Sequence, residues 1–98
     1  MITHIKSTDE FLNETSSGKV LVDFFATWCG PCNMLTPLLE EISNDIKVLK
    51  VDVDEFNDLA IQFGISSIPC LFLFNNGEIV KKTIGYMNKD QLLNFIKD

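Results

Sequence analysis

Cys29 and Cys32 are spaced three apart in Trp28-Cys29-Gly30-Pro31-Cys32, a stretch that also holds the chain's single tryptophan. Residues i and i+3 share one face of a helix, so the second sulfur can approach the first. Two such sulfurs support thiol–disulfide exchange: a thiolate attacks a foreign disulfide, and its neighbour resolves the mixed disulfide. The attacking group needs a lowered pKa, which free backbone N–H groups and the helix dipole supply at a helix N-terminus. An apolar run ends at about Ala26 and helical spacing begins within a few residues, which puts Cys29 at or just before such a terminus. Cys29 is therefore the candidate nucleophile and Cys32 the candidate resolving thiol. Trp28 and Pro31 are apolar neighbours suited to leave the first sulfur open and shield the second. Gly30 and Pro31 tune the redox poise: Pro31 fixes one φ angle and offers no N–H. A two-electron couple moves by about 30 mV for each ~1.4 kcal/mol of differential stability, so small changes in thiolate stabilisation matter.

Asp23 is the second informative residue. It is the lone carboxylate within "VLVDFFA" (20–26), a segment that reads as a strand buried on both faces. Burying an unpaired charge costs several kcal/mol, so this carboxyl is expected to keep its proton to high pH. Beside a thiol, such a group is a candidate proton acceptor for Cys32; its competing reading is a hydrogen-bonded structural group.

The elements that position these residues alternate. "ITHI" (2–5) is a short strand, and Ser7 with Glu10 reads as a capping box opening a helix that Ser16, Ser17 and Gly18 close. "KVLVDFFA" (19–26) is the central strand. Leu35, Leu38, Leu39, Ile42 and Ile46 lie on one helical stripe that contains Pro37, expected to kink the helix near Asn33. "KVLKVDVD" (47–54) is another strand, and Asp54 is the expected cap of a helix with Phe56, Leu59, Ala60 and Phe63 on one face, stopped by Gly64. "PCLFLF" (69–74) and "EIVKKTI" (78–84) flank the hairpin signal Asn75-Asn76-Gly77. Asn88 and Gln91 mark a second capping box before a helix with Leu92, Leu93 and Ile96 on its apolar side. The order β-α-β-α-β-α-β-β-α predicts an α/β fold in one domain spanning 1–98. Its mixed sheet has three parallel strands, an antiparallel hairpin and helices on both faces.

Composition narrows the function. The formal charge is −6, and so acidic a chain repels phosphate backbones and anionic lipid, which disfavours nucleic-acid and membrane roles. No stretch approaches the about 20 apolar residues of a membrane span. "MITHIKSTDE" lacks the basic head and apolar core of a signal peptide, so the expected compartment is the cytoplasm, where thiols stay reduced. A cysteine pair can also be half of a zinc site. The other candidate ligands of those types are Cys70 and His4, and His4, on a predicted edge strand, reads as solvated surface.

Over nearly its whole length the chain resembles the thioredoxin family. The matching segments are "VDFFATWCGPC" (22–32), Pro37, "KVDVDE" (50–55), "FGISSIP" (63–69), "NNGE" (75–78) and Gly85. The resemblance implies a thioredoxin fold: a five-stranded mixed sheet flanked by four helices. It implies reduction of protein disulfides, with no bound cofactor and with reducing equivalents from a thioredoxin reductase, expected to be NADPH-dependent. The expected partners are that reductase and disulfide-containing proteins, and the expected state is a monomer. It also implies that Asp23 accepts a proton, that Lys50 lies near Asp23 and moderates its shift, and that Pro69 is a cis proline facing the cysteine pair. Ile68 would then offer its backbone to an extended substrate, and Gly85 would line the same surface.

Each of these has a plainer competitor: a solvated Lys50, a trans Pro69 opening a strand, and a Gly85 required only by positive φ or close packing. A non-catalytic module holding partners on the Ile68-Pro69 surface is the rival function. Two positions depart from the family pattern. Asn33 stands where lysine or arginine is usual, removing a positive charge near Cys29. Cys70 stands where threonine is usual; strand alternation points it away from the face of Pro69, giving either an inert packed thiol or a regulatory one.

Overall fold

The computed structural model describes residues 2–97; Met1 and Asp98, which bound the domain read from sequence, lie outside the described residues. The elements are β1 (Ile2–His4), α1 (Thr8–Thr15), β2 (Lys19–Phe25), α2 (Gly30–Ile42), β3 (Lys47–Asp52), α3 (Asn57–Gln62), β4 (Cys70–Asn75), β5 (Glu78–Ile84) and α4 (Lys89–Phe95). The strands form one mixed sheet in the order β1-β3-β2-β4-β5, with β1, β3 and β2 parallel and β4 and β5 antiparallel. This is the expected α/β architecture of five strands and four helices.

β2 is buried along its length after Lys19, because helices cover both sides of the sheet. Val20, Val22 and Phe24 point to one face, with Leu49, Val51, Cys70, Phe72 and Phe74; Phe11 of α1 and Leu59 of α3 close this layer. Leu21, Val48, Leu71 and Leu73 point to the other, where Leu35, Leu39 and Ile42 of α2 and Leu92 of α4 cover them. The β4–β5 turn needs positive φ at both central residues, and Asn76 (φ 52) and Gly77 (φ 86) provide it.

Three local expectations change. Ser7 accepts from the Glu10 N–H, but the Glu10 carboxylate reaches past Ser7 to the Lys6 N–H, so the first capping box is not reciprocal. The Asn88–Gln91 box is complete. Ile46 lies beyond the end of α2, yet it packs in the same apolar layer as Leu39 and Ile42. α2 runs through Pro37 as a single helix, with the missing proline N–H leaving the Asn33 carbonyl without its i+4 donor. Asp54 does not cap α3, whose N-cap is Phe56 without a side-chain bond. Instead, Asp52 accepts from the N–H groups of Asp54 and Glu55, shaping the turn and freeing the Asp54 side chain.

Candidate active site

β2 ends at Phe25 and α2 starts at Gly30, so the chain turns from sheet to helix within the loop that carries Trp28 and Cys29. Cys29 is the N-cap of α2, in extended conformation, and its sulfur accepts the backbone N–H of Cys32 at 3.2 Å. Gly30 and Pro31 form the first residues of the helix, where a proline N–H is not missed. Cys32 follows one turn in, and Cys29 and Cys32 are joined by a disulfide. Cys29 keeps 5% exposure against 1% for Cys32, so what access exists lies on the Cys29 side. Asn33 contributes no charge, but its side-chain amide donates to the Thr27 carbonyl at 3.4 Å and ties the loop to the helix start.

The Ile68-Pro69 peptide is cis, as the resemblance implied. The Ile68 carbonyl oxygen lies 3.9 Å from the Cys29 sulfur. Gly85 is brought to the same place: its N–H donates to the Pro69 carbonyl at 2.8 Å. A Cβ on Gly85 would meet open space, so φ of 101°, and not crowding, is what selects glycine there.

Trp28 is 71% exposed, and its indole N–H donates to Asp54 Oδ2 at 2.8 Å. The pair borders a hollow of about 210 Å³ lined by Trp28, Val53, Ala60, Ile65 and Ile68 with Ser66 and Ser67. Asp54 is thus a site residue that sequence reasoning misassigned, because an aspartate ahead of a helical pattern reads as a cap.

On the sheet face that α2 covers, polar groups meet. Asp23 has no solvent exposure, and it pairs in strand register with Lys50 of β3. Lys50 is itself buried and not the solvated lysine of the plainer reading. Its ammonium lies 3.5 Å from Asp23 Oδ2, 4.4 Å from the Phe25 ring centroid and 2.8 Å from the Thr36 hydroxyl. The hydroxyl is its shorter contact, and the Asp23 carboxylate is the longer one. Burial pushes the Asp23 carboxyl up to about 6, with Lys50 holding it down from a higher value. The expectation that it stays protonated to high pH is corrected accordingly: a cation at ion-pair range offsets part of the desolvation. Thr36 and Phe25, which set the position of that cation, are the other residues missed from sequence. The available signal for Thr36 was its i+4 spacing from Cys32, whose carbonyl its hydroxyl bonds at 3.2 Å.

Cys70 lies on the opposite face of the sheet from Asp23, buried in the layer with Phe24 and Phe72. His4 is exposed and sets its ring edge-on to Phe25 at 6.0 Å. Among the described residues no group of three or more His, Cys, Asp or Glu is placed to hold a metal ion, and no helix is long and apolar enough to cross a membrane.

A family model described as Thioredoxin matches residues 2–98. A thioredoxin of Chlamydia muridarum is 47% identical over 98 residues, covering 97% of this chain and 96% of that protein. A thioredoxin of Bacillus subtilis is 44% identical over 93 residues, covering 90% and 89%. Among solved structures, a mutant thioredoxin from Halobacterium salinarum superposes with a TM-score of 0.93 at 38% identity, covering 98% of this chain and 88% of that one. Plasmodium falciparum thioredoxin superposes with a TM-score of 0.90 at 35% identity, covering 97% and 96%.

Proposed function

The chain belongs to the thioredoxin family and is a thiol–disulfide oxidoreductase that reduces protein disulfides; we propose that Cys29 is its attacking thiolate, Cys32 its resolving thiol and Asp23 the acceptor of the resolving proton. One observation carries this assignment: the Cys29 sulfur sits at the N-cap of α2 and accepts a helix N–H. A negative charge on that sulfur is stabilised by the N–H and the helix dipole.

In the first step the Cys29 thiolate attacks one sulfur of a substrate disulfide. A Cys29–substrate bond forms, the substrate's own S–S bond breaks, and its other sulfur leaves as a thiolate that takes up a proton. In the second step the Cys32 thiol gives its proton to the Asp23 carboxylate. The Cys32 thiolate attacks Cys29, the Cys29–Cys32 bond forms, and the second substrate sulfur leaves as a thiolate. Two electrons pass to the substrate, and the dithiol becomes the disulfide. A raised carboxyl affinity suits Asp23 to hold that proton near neutral pH. Lys50 moderates that affinity, and Gly30 with Pro31 sets the thiolate's surroundings.

Substrate binding is assigned to the surface around Trp28, Ile68, Pro69 and Gly85. The hollow beside Trp28 is lined by apolar side chains together with Asp54, Asn57, Ser66 and Ser67, suited to a side chain flanking the substrate cysteine. The family works on disulfide substrates and is served by a thioredoxin reductase. For this chain we take that reductase to be NADPH-dependent, the protein to be a monomer without its own cofactor, and its site of action to be the cytoplasm. The charge of −6 supports protein partners over nucleic acid or anionic membrane.

The test is Cys32→Ser with a disulfide substrate. Mixed disulfides through Cys29 should accumulate, visible as a mass increase that dithiothreitol reverses. No trapped species would overturn the order of attack. Insulin-disulfide reduction coupled to an NADPH-dependent thioredoxin reductase tests chemistry and partner together. A Cys29→Ser, Cys32→Ser chain that kept full biological activity would instead favour the binding-module reading.

A further inference from the structure

The Lys50 ammonium has two nearby polar partners, and its shorter contact is to the neutral one. The Thr36 hydroxyl donates its single proton to the Cys32 carbonyl at 3.2 Å and accepts from Lys50 Nζ at 2.8 Å, while Asp23 Oδ2 stays at 3.5 Å. Thr36 thus links the backbone of the resolving cysteine to the cation of the buried pair. The Phe25 ring on another side of the ammonium completes its seat.

We propose that Thr36 is a positioning residue for the resolving step: its hydroxyl, anchored on the Cys32 carbonyl, takes the shorter bond from Lys50 and holds the ammonium at 3.5 Å from Asp23, so the carboxylate stays open to the Cys32 proton. This deepens, and rests on, the assignment of Asp23 as proton acceptor. Without the hydroxyl the largely buried ammonium loses its shortest polar contact. Asp23 Oδ2, already at 3.5 Å, is within its reach, and a shorter charge-assisted bond there would favour the charged carboxylate and weaken it as a base. The charged and titratable groups around Asp23 are Lys50 from β3 and Cys70 acting through the sheet from β4; His4, Asp52 and Glu55 line the hollow that opens on Lys50. In the oxidised protein Cys32 does not titrate, so the carboxyl can be followed alone.

The experiment is a carbon-13 NMR titration of the Asp23 carboxyl in the oxidised full chain, for wild type, Thr36→Val and Thr36→Ser. Thr36→Val should lower the midpoint by about 0.5 pH unit or more, and Thr36→Ser, which keeps the hydroxyl, should match wild type. In a Lys50→Met background, Thr36→Val should move the midpoint no further. A midpoint unmoved or raised by valine, or a serine variant that shifts like valine, overturns the proposal. Should the valine chain not fold, Thr36→Ala removes the same hydroxyl with a better helix former. The pH profile of mixed-disulfide release should shift downward with the carboxyl. A shifted midpoint with an unmoved release profile would overturn the role of Asp23 and not the hold of Thr36 on the ammonium.

Discussion

Asp23 and Phe24 are sequence neighbours on one strand, and they face two different environments. Phe24 points into a layer of Phe11, Phe63, Phe72 and Phe74, whose rings meet at 5.5–6.5 Å, mostly edge-on or tilted. Asp23 points to the face that α2 covers, where an ammonium, a hydroxyl and the redox pair's helix meet. The pleat alone separates them: a step of one residue along a strand crosses the sheet. One face supplies aromatic burial and fixes β4 and β2 together. The other accepts a desolvated ion pair, a poor source of stability, at the place where a proton must be taken and returned. Stability and redox chemistry therefore draw on alternate residues of the same strands, and changes on the two faces should have separable effects.

The largest effect should come from the aromatic face. Phe24→Ala removes a fully buried ring that touches Phe11, Phe63 and Phe72, and should cost about 3–5 kcal/mol in urea unfolding. Activity per folded molecule in insulin reduction should stay within about twofold of wild type, since no ring of this layer reaches the disulfide. A large loss of specific activity in the folded fraction would break the separation of faces.

The polar face should respond to pH. Asp23 is pushed up from an ordinary 3.8 to about 6, so between those values the folded chain binds more protons than the unfolded one. Stability from this group is fully present below pH 3.8 and is lost as pH rises through about 6. The gap of roughly two pH units corresponds to about 3 kcal/mol. Asp23→Asn removes the titration, so its stability relative to wild type should rise by about that much between pH 4 and pH 7. Urea unfolding of the oxidised proteins across this range measures it, and a pH-independent difference would mean that the carboxyl is not perturbed by burial.

What could be read without coordinates follows the same division. The cysteine pair, the helix start at Cys29 and the buried run of β2 are local patterns, and each appeared where its spacing placed it. The burial of Asp23 followed from seven consecutive residues with one charge. Its value did not, because that depends on Lys50, which is 27 residues away in sequence and one strand away in space. Thr36 and Asp54 were missed for a related reason. Each looks locally like an ordinary residue of a helix or a cap, and acquires its role only when Lys50 and Trp28 arrive from other elements. Side-chain bonds between distant elements are set by tertiary packing, which spacing rules do not encode.

The smallest effect is expected at Cys70, where the comparison is sharpest because a thiol sits on the face without redox chemistry. It is opposite Phe24 in register and packed beside Phe72. Burial raises its pKa, and Lys82, whose ammonium lies over the Phe72 ring at 5.5 Å, offsets only part of that. A thiol that is both protonated and covered is a poor nucleophile on two counts. The native oxidised protein should therefore show no thiol reactive toward an aromatic disulfide reagent, and one after denaturation. Cys70→Ala should cost about 1 kcal/mol through the small void it leaves, with insulin reduction unchanged. Rapid reaction of Cys70 in the native state would mean that the aromatic layer opens on the reagent's timescale. The stability assigned to that face would then have to be shared with a second, accessible redox group.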